Sequence, residues 1–106
     1  LMNRVDGIAS KYGVYLPIYG HAGDGNLHVH IMKEDVKDLD MAKRIKNEVY
    51  KVAISLGGVI TGEHGIGKLR IENLASILDS KHIEIMKGIK KIFDPNNILN
   101  PHKVLP

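Results

Sequence analysis

Glycine is concentrated in two short stretches of this 106-residue sequence. Of the 11 glycines, eight lie within residues 20–25 or residues 57–67. Because glycine adopts backbone conformations that other residues avoid, such stretches are typical of tight turns and of close approaches between backbone and ligand. The two stretches therefore divide the chain into its elements, and they are where we expect a functional site.

The apolar residues around these stretches follow two periods. Leu27, Val29 and Ile31 alternate with His28 and His30, which indicates a strand with one apolar face and one histidine face. Elsewhere apolar residues recur at helical spacing. The predicted elements are helices over residues 1–12, 38–56, 69–78 and 80–93, and a hairpin over residues 14–32 whose first strand spans 14–19. The sequence thus predicts an α+β fold, a β-hairpin packed with helices.

Composition excludes several classes of protein. The chain has no cysteine, so disulfides, thiolate metal sites and cysteine nucleophiles are absent, which fits a cytoplasmic location. Its net charge of +3 comes from scattered basic residues, and only 5% of residues are aromatic, which argues against nucleic-acid binding. No apolar run approaches the length of a membrane span. Because a helical pattern already includes Leu1 and Met2, we expect the chain to be a piece of a longer protein.

Histidine and glutamate residues gather at the glycine-rich stretches. His21 opens the hairpin connection, and His28 lies on the returning strand, where the hairpin could bring it beside His21. Imidazole nitrogens with one carboxylate form a three-ligand metal set with open positions, and Glu63 is the natural third ligand. His64 next to it remains available as an acid or base. The alternative is that the two histidines are simply solvated.

Other polar residues receive structural interpretations. His82 lies on a predicted helix and His102 in the tail, and for both we expect no role in a site. Asp24 lies between two glycines, where a side-chain-to-backbone turn contact is the favoured interpretation.

Three ordered motifs carry a resemblance to a known family. They are Gly20-His21-Ala22-Gly23-Asp24-Gly25-Asn26-Leu27-His28, then Gly62-Glu63-His64-Gly65-Ile66-Gly67, and finally the ending from Phe93 to Lys103. Together they resemble the C-terminal domain of FAD-linked oxidases, the vanillyl-alcohol-oxidase-like group that includes the glycolate oxidase D subunit, D-lactate dehydrogenases and D-2-hydroxyglutarate dehydrogenase. The resemblance runs from about Val14 to the end of the chain.

The resemblance implies a division of labour within the site. His21, His28 and Glu63 would be ligands of a divalent metal, zinc or manganese, and His64 would be the catalytic base. His30 would lie near a small 2-hydroxy-acid substrate. Asn100, in the tail motif, would contact the cofactor, although His102 stands where the family commonly has glycine.

The resemblance also implies what this chain would lack. FAD would be bound mainly by a flavin-binding domain that precedes this region, and residues 1–93 would form part of a ferredoxin-like cap domain. Residues 94–106 would form a tail that returns toward the flavin domain. We expect the isolated chain to be inactive and to self-associate through the exposed edges of an incomplete sheet.

Two alternatives stay open at the level of sequence. His28-Val29-His30 is similar to the strand of histidine-triad nucleotide hydrolases, but Met32 stands where a third histidine belongs and the Glu63-His64 stretch would have no role. The chain could also be a free-standing metal-binding module, or a subunit that completes a flavoprotein in trans.

Overall fold

The computed structural model describes residues 1–105 and has two compact units, Leu1–Glu63 and a second unit that begins at His64. The first unit contains two helices and a two-stranded antiparallel sheet, and the second contains two helices. The prediction of an α+β fold is therefore confirmed. The elements are α1 (Met2–Tyr12), β1 (Ile18–His21), β2 (Asn26–Val29), α2 (Leu39–Ser55), α3 (Ile71–Ile77) and α4 (Ser80–Phe93).

The helix α1 begins and ends close to its predicted limits. Its apolar face buries Val5 and Ile8. Gly13 ends the helix in the left-handed conformation, with φ of 65°, and its N–H donates to the carbonyls of the last turn. Glycine adopts this conformation without the steric cost that a Cβ would add, which explains the stop at this position.

The first strand starts later than predicted. Residues 14–17 precede β1, although the sequence pattern placed them in the strand. The N–H of Val14 caps α1 by donating to the carbonyl of Ala9, and Pro17 has no N–H to donate to a ladder. Leu16 is buried in the core of the unit. Residues 14–17 are therefore a connection between α1 and the hairpin that is held in place by Leu16.

The hairpin pairs Ile18 with Val29 and His21 with Asn26, and a short 3-10 turn over Ala22–Asp24 joins the strands. Since strand side chains alternate between faces, Ile18 and Val29 point to one face and pack against the core of the unit. The side chains of His21 and His28 therefore lie on the opposite face of the hairpin. β2 ends at Val29, so His30 follows the strand instead of lying within it.

The core of the first unit forms where α2 packs on α1. Asp38 caps α2 by accepting a hydrogen bond from the N–H of Met41 at 2.7 Å. Ile45 and Val5 are fully buried between the helices. Full burial of one such side chain stabilises a fold by about 1.5–3 kcal/mol, so this helix pair supports the hairpin.

The second unit has little buried apolar surface. Leu74 is the buried residue of α3, and no residue of α4 is buried. Asp94, only 5% exposed, follows α4 and accepts hydrogen bonds from the N–H groups of Ile98 and Leu99 at 3.0 Å each. Its carboxylate also pairs with Lys90 of α4. Asp94 therefore fastens the tail to the end of α4.

None of the helices formed by residues 1–105 combines the length and apolar character needed to cross a membrane.

Candidate metal and substrate site on the hairpin

One face of the hairpin carries the polar side chains of the candidate site. Tyr19 lies directly opposite His28, and His21 lies directly opposite Asn26. Directly paired residues share a face, and residues two apart on one strand also share it, so all four side chains lie on the side away from the core. The predicted histidine face is therefore present in the structure, with a tyrosine and an asparagine added to it.

Tyr19 contacts two of the histidines at once. Its ring stacks on the ring of His28, with centroids 5.4 Å apart and planes at 25°. The ring of His30 lies 4.9 Å from the same tyrosine at 50°, and the Tyr19 hydroxyl is hydrogen-bonded to Nε2 of His30. Tyr19 thus fixes the ring planes of both histidines. The sequence motifs did not indicate this role of Tyr19, which depends on the cross-strand register.

Glu63 approaches the histidine face from the second glycine-rich stretch. One carboxylate oxygen, Oε1, lies 3.3 Å from Nε2 of His28. The side chain of His28 is 24% exposed and that of Glu63 is 52% exposed, so the pair is open to a ligand from solvent. The structure therefore brings together two of the three ligands predicted from the sequence.

The distance between these two atoms suits a shared metal ion. Two ligands bound tetrahedrally to one ion at about 2.0–2.1 Å lie about 3.3–3.4 Å from each other. The 3.3 Å between His28 Nε2 and Glu63 Oε1 matches that separation. A nitrogen and a carboxylate oxygen are also the donor types that zinc and manganese accept, so the residues fit the ion.

Two glycines permit the approach of Glu63 to the hairpin. A Cβ on Gly62 would lie 2.0 Å from Oδ1 of Asn26, so any larger residue would require that side chain to shift. A Cβ on Gly20 would lie 2.4 Å from the carbonyl oxygen of Asn26, and Gly20 has φ of 140°. One glycine from each glycine-rich stretch therefore lies against Asn26.

The structure does not bring His21 into this arrangement. His21 is exposed at the end of β1, and residues 1–105 contain no group of three candidate ligands that includes it. Its place on the same face as His28 follows from the register alone. His64 is the residue after Glu63 and begins the second unit.

Both histidines that were expected to lie outside the site have other surroundings. Asp79 caps α4: its carboxylate accepts a hydrogen bond from the His82 N–H at 2.9 Å and contacts the His82 ring Nδ1 at 2.6 Å. These hydrogen bonds lower the pKa of Asp79. His102 and Asn100 both line a groove beside α4, and both have left-handed backbone conformations. Asp24 is exposed in the 3-10 turn.

Comparison with known proteins connects this arrangement to a family. Residues 1–104 match the family model described as FAD linked oxidases, C-terminal domain. The chain is 41% identical over 107 residues to the glycolate oxidase subunit GlcD of Bacillus subtilis, and the match covers 98% of this chain. It is 42% identical over 102 residues to a D-lactate dehydrogenase of Archaeoglobus fulgidus, with 96% of this chain covered.

A third relative is a D-2-hydroxyglutarate dehydrogenase of Stutzerimonas stutzeri, 38% identical over 109 residues, with 97% of this chain covered. This chain spans 23% of the length of the first two relatives and 24% of the third. The resemblance inferred from the three motifs is therefore confirmed, and the chain belongs to the FAD-linked oxidases as the C-terminal domain of that family.

Proposed function

We propose that this domain supplies the metal ligands and the catalytic base of an FAD-dependent enzyme that oxidises a 2-hydroxy acid. Glycolate, D-lactate and D-2-hydroxyglutarate, named in three relatives, share a hydroxyl group next to a carboxylate. Such a substrate presents two oxygens that a divalent metal can hold together. The observation that carries the proposal is the 3.3 Å between His28 Nε2 and Glu63 Oε1.

In the proposed site, His28 and Glu63 would hold zinc or manganese, and His21 would be the third ligand. His21 shares the face of His28, so its assignment rests on the hairpin register and on the family resemblance. Three protein ligands leave positions open for the two substrate oxygens. Tyr19 orients the His28 ring through stacking. Less conformational freedom of that ring would then be lost when a metal binds.

The proton and the hydride that the substrate loses go to different acceptors. When bound, the metal would polarise the substrate hydroxyl and the flavin would accept a hydride from the α-carbon. His64, the residue that follows Glu63 in the chain, would take the hydroxyl proton. The 2-hydroxy acid thereby loses one proton and one hydride and becomes a 2-oxo acid.

Further residues complete the proposed assignment. His30, hydrogen-bonded to Tyr19, lies beside the substrate. Asn100 contacts the flavin cofactor, which is bound mainly by the flavin-binding domain. We also propose that residues 1–93 are part of a ferredoxin-like cap domain and that residues 94–106 are a tail. The cytoplasmic location belongs to the same proposal.

Rapid-reaction measurement of flavin reduction tests these roles in the protein that joins this domain to its flavin-binding domain. His64→Ala is expected to slow flavin reduction by about 10²–10⁴ while metal content stays at the wild-type level. Glu63→Ala is expected to lose metal and activity together. His82→Ala serves as the control, because the His82 side chain contacts Asp79 at the start of α4 and belongs to neither glycine-rich stretch. If His64→Ala reduces flavin at the wild-type rate, His64 is not the base.

The histidine-triad alternative finds less support. In that reading Glu63 has no function, yet its carboxylate contacts His28 directly.

A further inference from the structure

The groove beside α4 carries positive charge that the second unit does not balance. It has a volume of about 350 Å³ and lies between α4 and the tail. Its charged lining residues are four lysines and one aspartate, while asparagine and histidine side chains supply further polar atoms. The lining residues that matter are Lys87, Lys90, Lys91, Lys103, Asp94 and Asn97.

The single carboxylate in the groove is already engaged. Asp94 accepts two backbone hydrogen bonds and pairs with Lys90, and the Lys90 contact is the main cause of the lowered pKa of Asp94. Nζ of Lys90 also donates to the carbonyl of Leu99 at 2.8 Å. Within residues 1–105, no ion pair neutralises Lys87, Lys91 or Lys103. Three positive charges therefore surround one groove without a counter-charge.

The tail that closes the groove has an unusual backbone. Asn97, Asn100, His102 and Val104 all have positive φ, between 46° and 66°. The left-handed region is strained for a β-branched residue such as Val104, and such strain persists only where the surroundings impose it. Here the imposing contacts include the Asp94 hydrogen bonds to the tail and the bond from the Val104 N–H to the carbonyl of Gly67. These contacts hold the tail backbone beside the end of α4, along one side of the groove.

We propose that this groove binds a phosphate-type anion, with the three unpaired lysines as its charge partners. Lysine binds phosphate as a point charge, and amide groups such as that of Asn97 add hydrogen-bond donors. A groove of about 350 Å³ is at the small end of the range for ligand sites and admits a diphosphate group. The groove also includes Asn100, the proposed flavin contact, but anion binding by its lysines does not require hydroxy-acid oxidation by the hairpin face.

Titration of the chain with inorganic pyrophosphate at low ionic strength tests the site, followed by amide chemical shifts in NMR spectra. We expect saturable shifts confined to α4 and the tail. The double variant Lys91→Gln and Lys103→Gln should weaken binding about tenfold or more, because it removes two of the charges. The control, Lys37→Gln with Lys43→Gln, changes net charge equally at exposed positions outside the groove and should weaken binding less than about twofold.

A second variant covers the case in which the double lysine variant fails to fold. Asn97→Asp keeps a side chain that tolerates the left-handed conformation and adds a negative charge to the groove, so it should also weaken binding. Comparison of phosphate, pyrophosphate and ADP separates the two sources of the ligand: tighter binding of ADP indicates a nucleotide-borne diphosphate, and equal binding indicates a free anion. The absence of saturable shifts, or equal weakening in the groove and control variants, would overturn the proposal.

Discussion

Asn26 and Gly62 lie in such close contact that a carbon added to Gly62 would require the Asn26 side chain or the Gly62 backbone to shift. A Cβ on Gly62 would stand 2.0 Å from Oδ1 of Asn26, far inside van der Waals distance. Asn26 opens β2, and Gly62 immediately precedes Glu63. This contact therefore determines how closely the Glu63 carboxylate can approach His28.

Replacing Gly62 by alanine should destabilise the first unit. The new methyl group must push Asn26 or the Gly62 backbone aside, and such overpacking typically costs about 1–3 kcal/mol in the free energy of unfolding. Gly7→Ala is the matched control, because no atom lies within 4 Å of the added Cβ and the position is inside α1. That substitution should be neutral or stabilising by about 0.5–1 kcal/mol. Chemical denaturation of both variants measures the difference; equal stability would contradict the steric argument.

Metal binding by this chain should depend on His28 and Glu63. In a titration with Zn²⁺ or Mn²⁺, His28→Ala and Glu63→Gln should each weaken binding about tenfold or more, equivalent to about 1.4 kcal/mol or more. His21→Ala tests the third proposed ligand, which belongs to no group of three candidate ligands in the described residues. Binding should weaken as the pH falls, because protonated imidazole cannot coordinate a metal.

The control for the metal titration is His82→Ala, since His82 is occupied at the start of α4. If the His28→Ala variant binds metal as tightly as the wild-type chain, the contact between His28 and Glu63 is only an ion pair.

The core of the first unit should be most sensitive at Ile45. Its side chain is fully buried between α1 and α2, so Ile45→Ala leaves a cavity and should cost about 2–5 kcal/mol in the free energy of unfolding. Leu39→Ala removes a side chain of the same size from the same helix, but Leu39 is 83% exposed. Its effect should stay within about 0.5 kcal/mol. Thermal or chemical unfolding that ranks the two variants equally would argue against the packing of α2 on α1.

Acid should weaken the contact between α1 and α2 at Glu48. Its carboxylate accepts hydrogen bonds from Lys11 and from Tyr12, each at 2.7 Å, and these bonds lower the pKa of Glu48 below its usual value of 4.5. A lowered folded-state pKa contributes stability above the unfolded-state pKa, and that contribution is lost as the pH falls through the folded-state pKa.

Glu48→Gln should therefore reduce stability at neutral pH by about 0.5–1 kcal/mol, since the site is partly screened by solvent. The difference from wild type should disappear in strong acid, where the wild-type carboxylate is protonated. Glu34→Gln, at an exposed turn, should show no such pH-dependent difference. Thermal unfolding as a function of pH measures both variants; a constant difference across the pH range would contradict the assignment.

Self-association through the hairpin is a further expectation. The sheet of the described residues has two strands, so each strand has one edge without a partner strand. Such edges can pair with another copy of the chain. Light scattering over a range of protein concentrations should show dimer formation, and Tyr19→Lys, which adds charge to the hairpin, should reduce it. A monomer at every concentration would contradict this expectation.

Local patterns in the sequence predicted most of the elements. The period of apolar residues predicted α2 within one residue of Leu39 and Ser55, because a helix with a buried face must repeat that period. The prediction was wrong for residues 14–17, where helix capping by Val14 and burial of Leu16 override the β-forming character of the segment. Residue types alone do not show which backbone groups a neighbouring helix end will use.

The sequence by itself determined the motifs, the family and the types of ligand offered by the chain. Only the tertiary structure decided which ligands meet. His28 contacts Glu63, because the hairpin register places His28 on the outer face and Gly62 lets the second glycine-rich stretch approach Asn26. The same register revealed the contact of Tyr19 with two histidines, while His21 joins no group of three candidate ligands within residues 1–105. Register and close approach depend on contacts between residues far apart in the chain, and no local pattern encodes them.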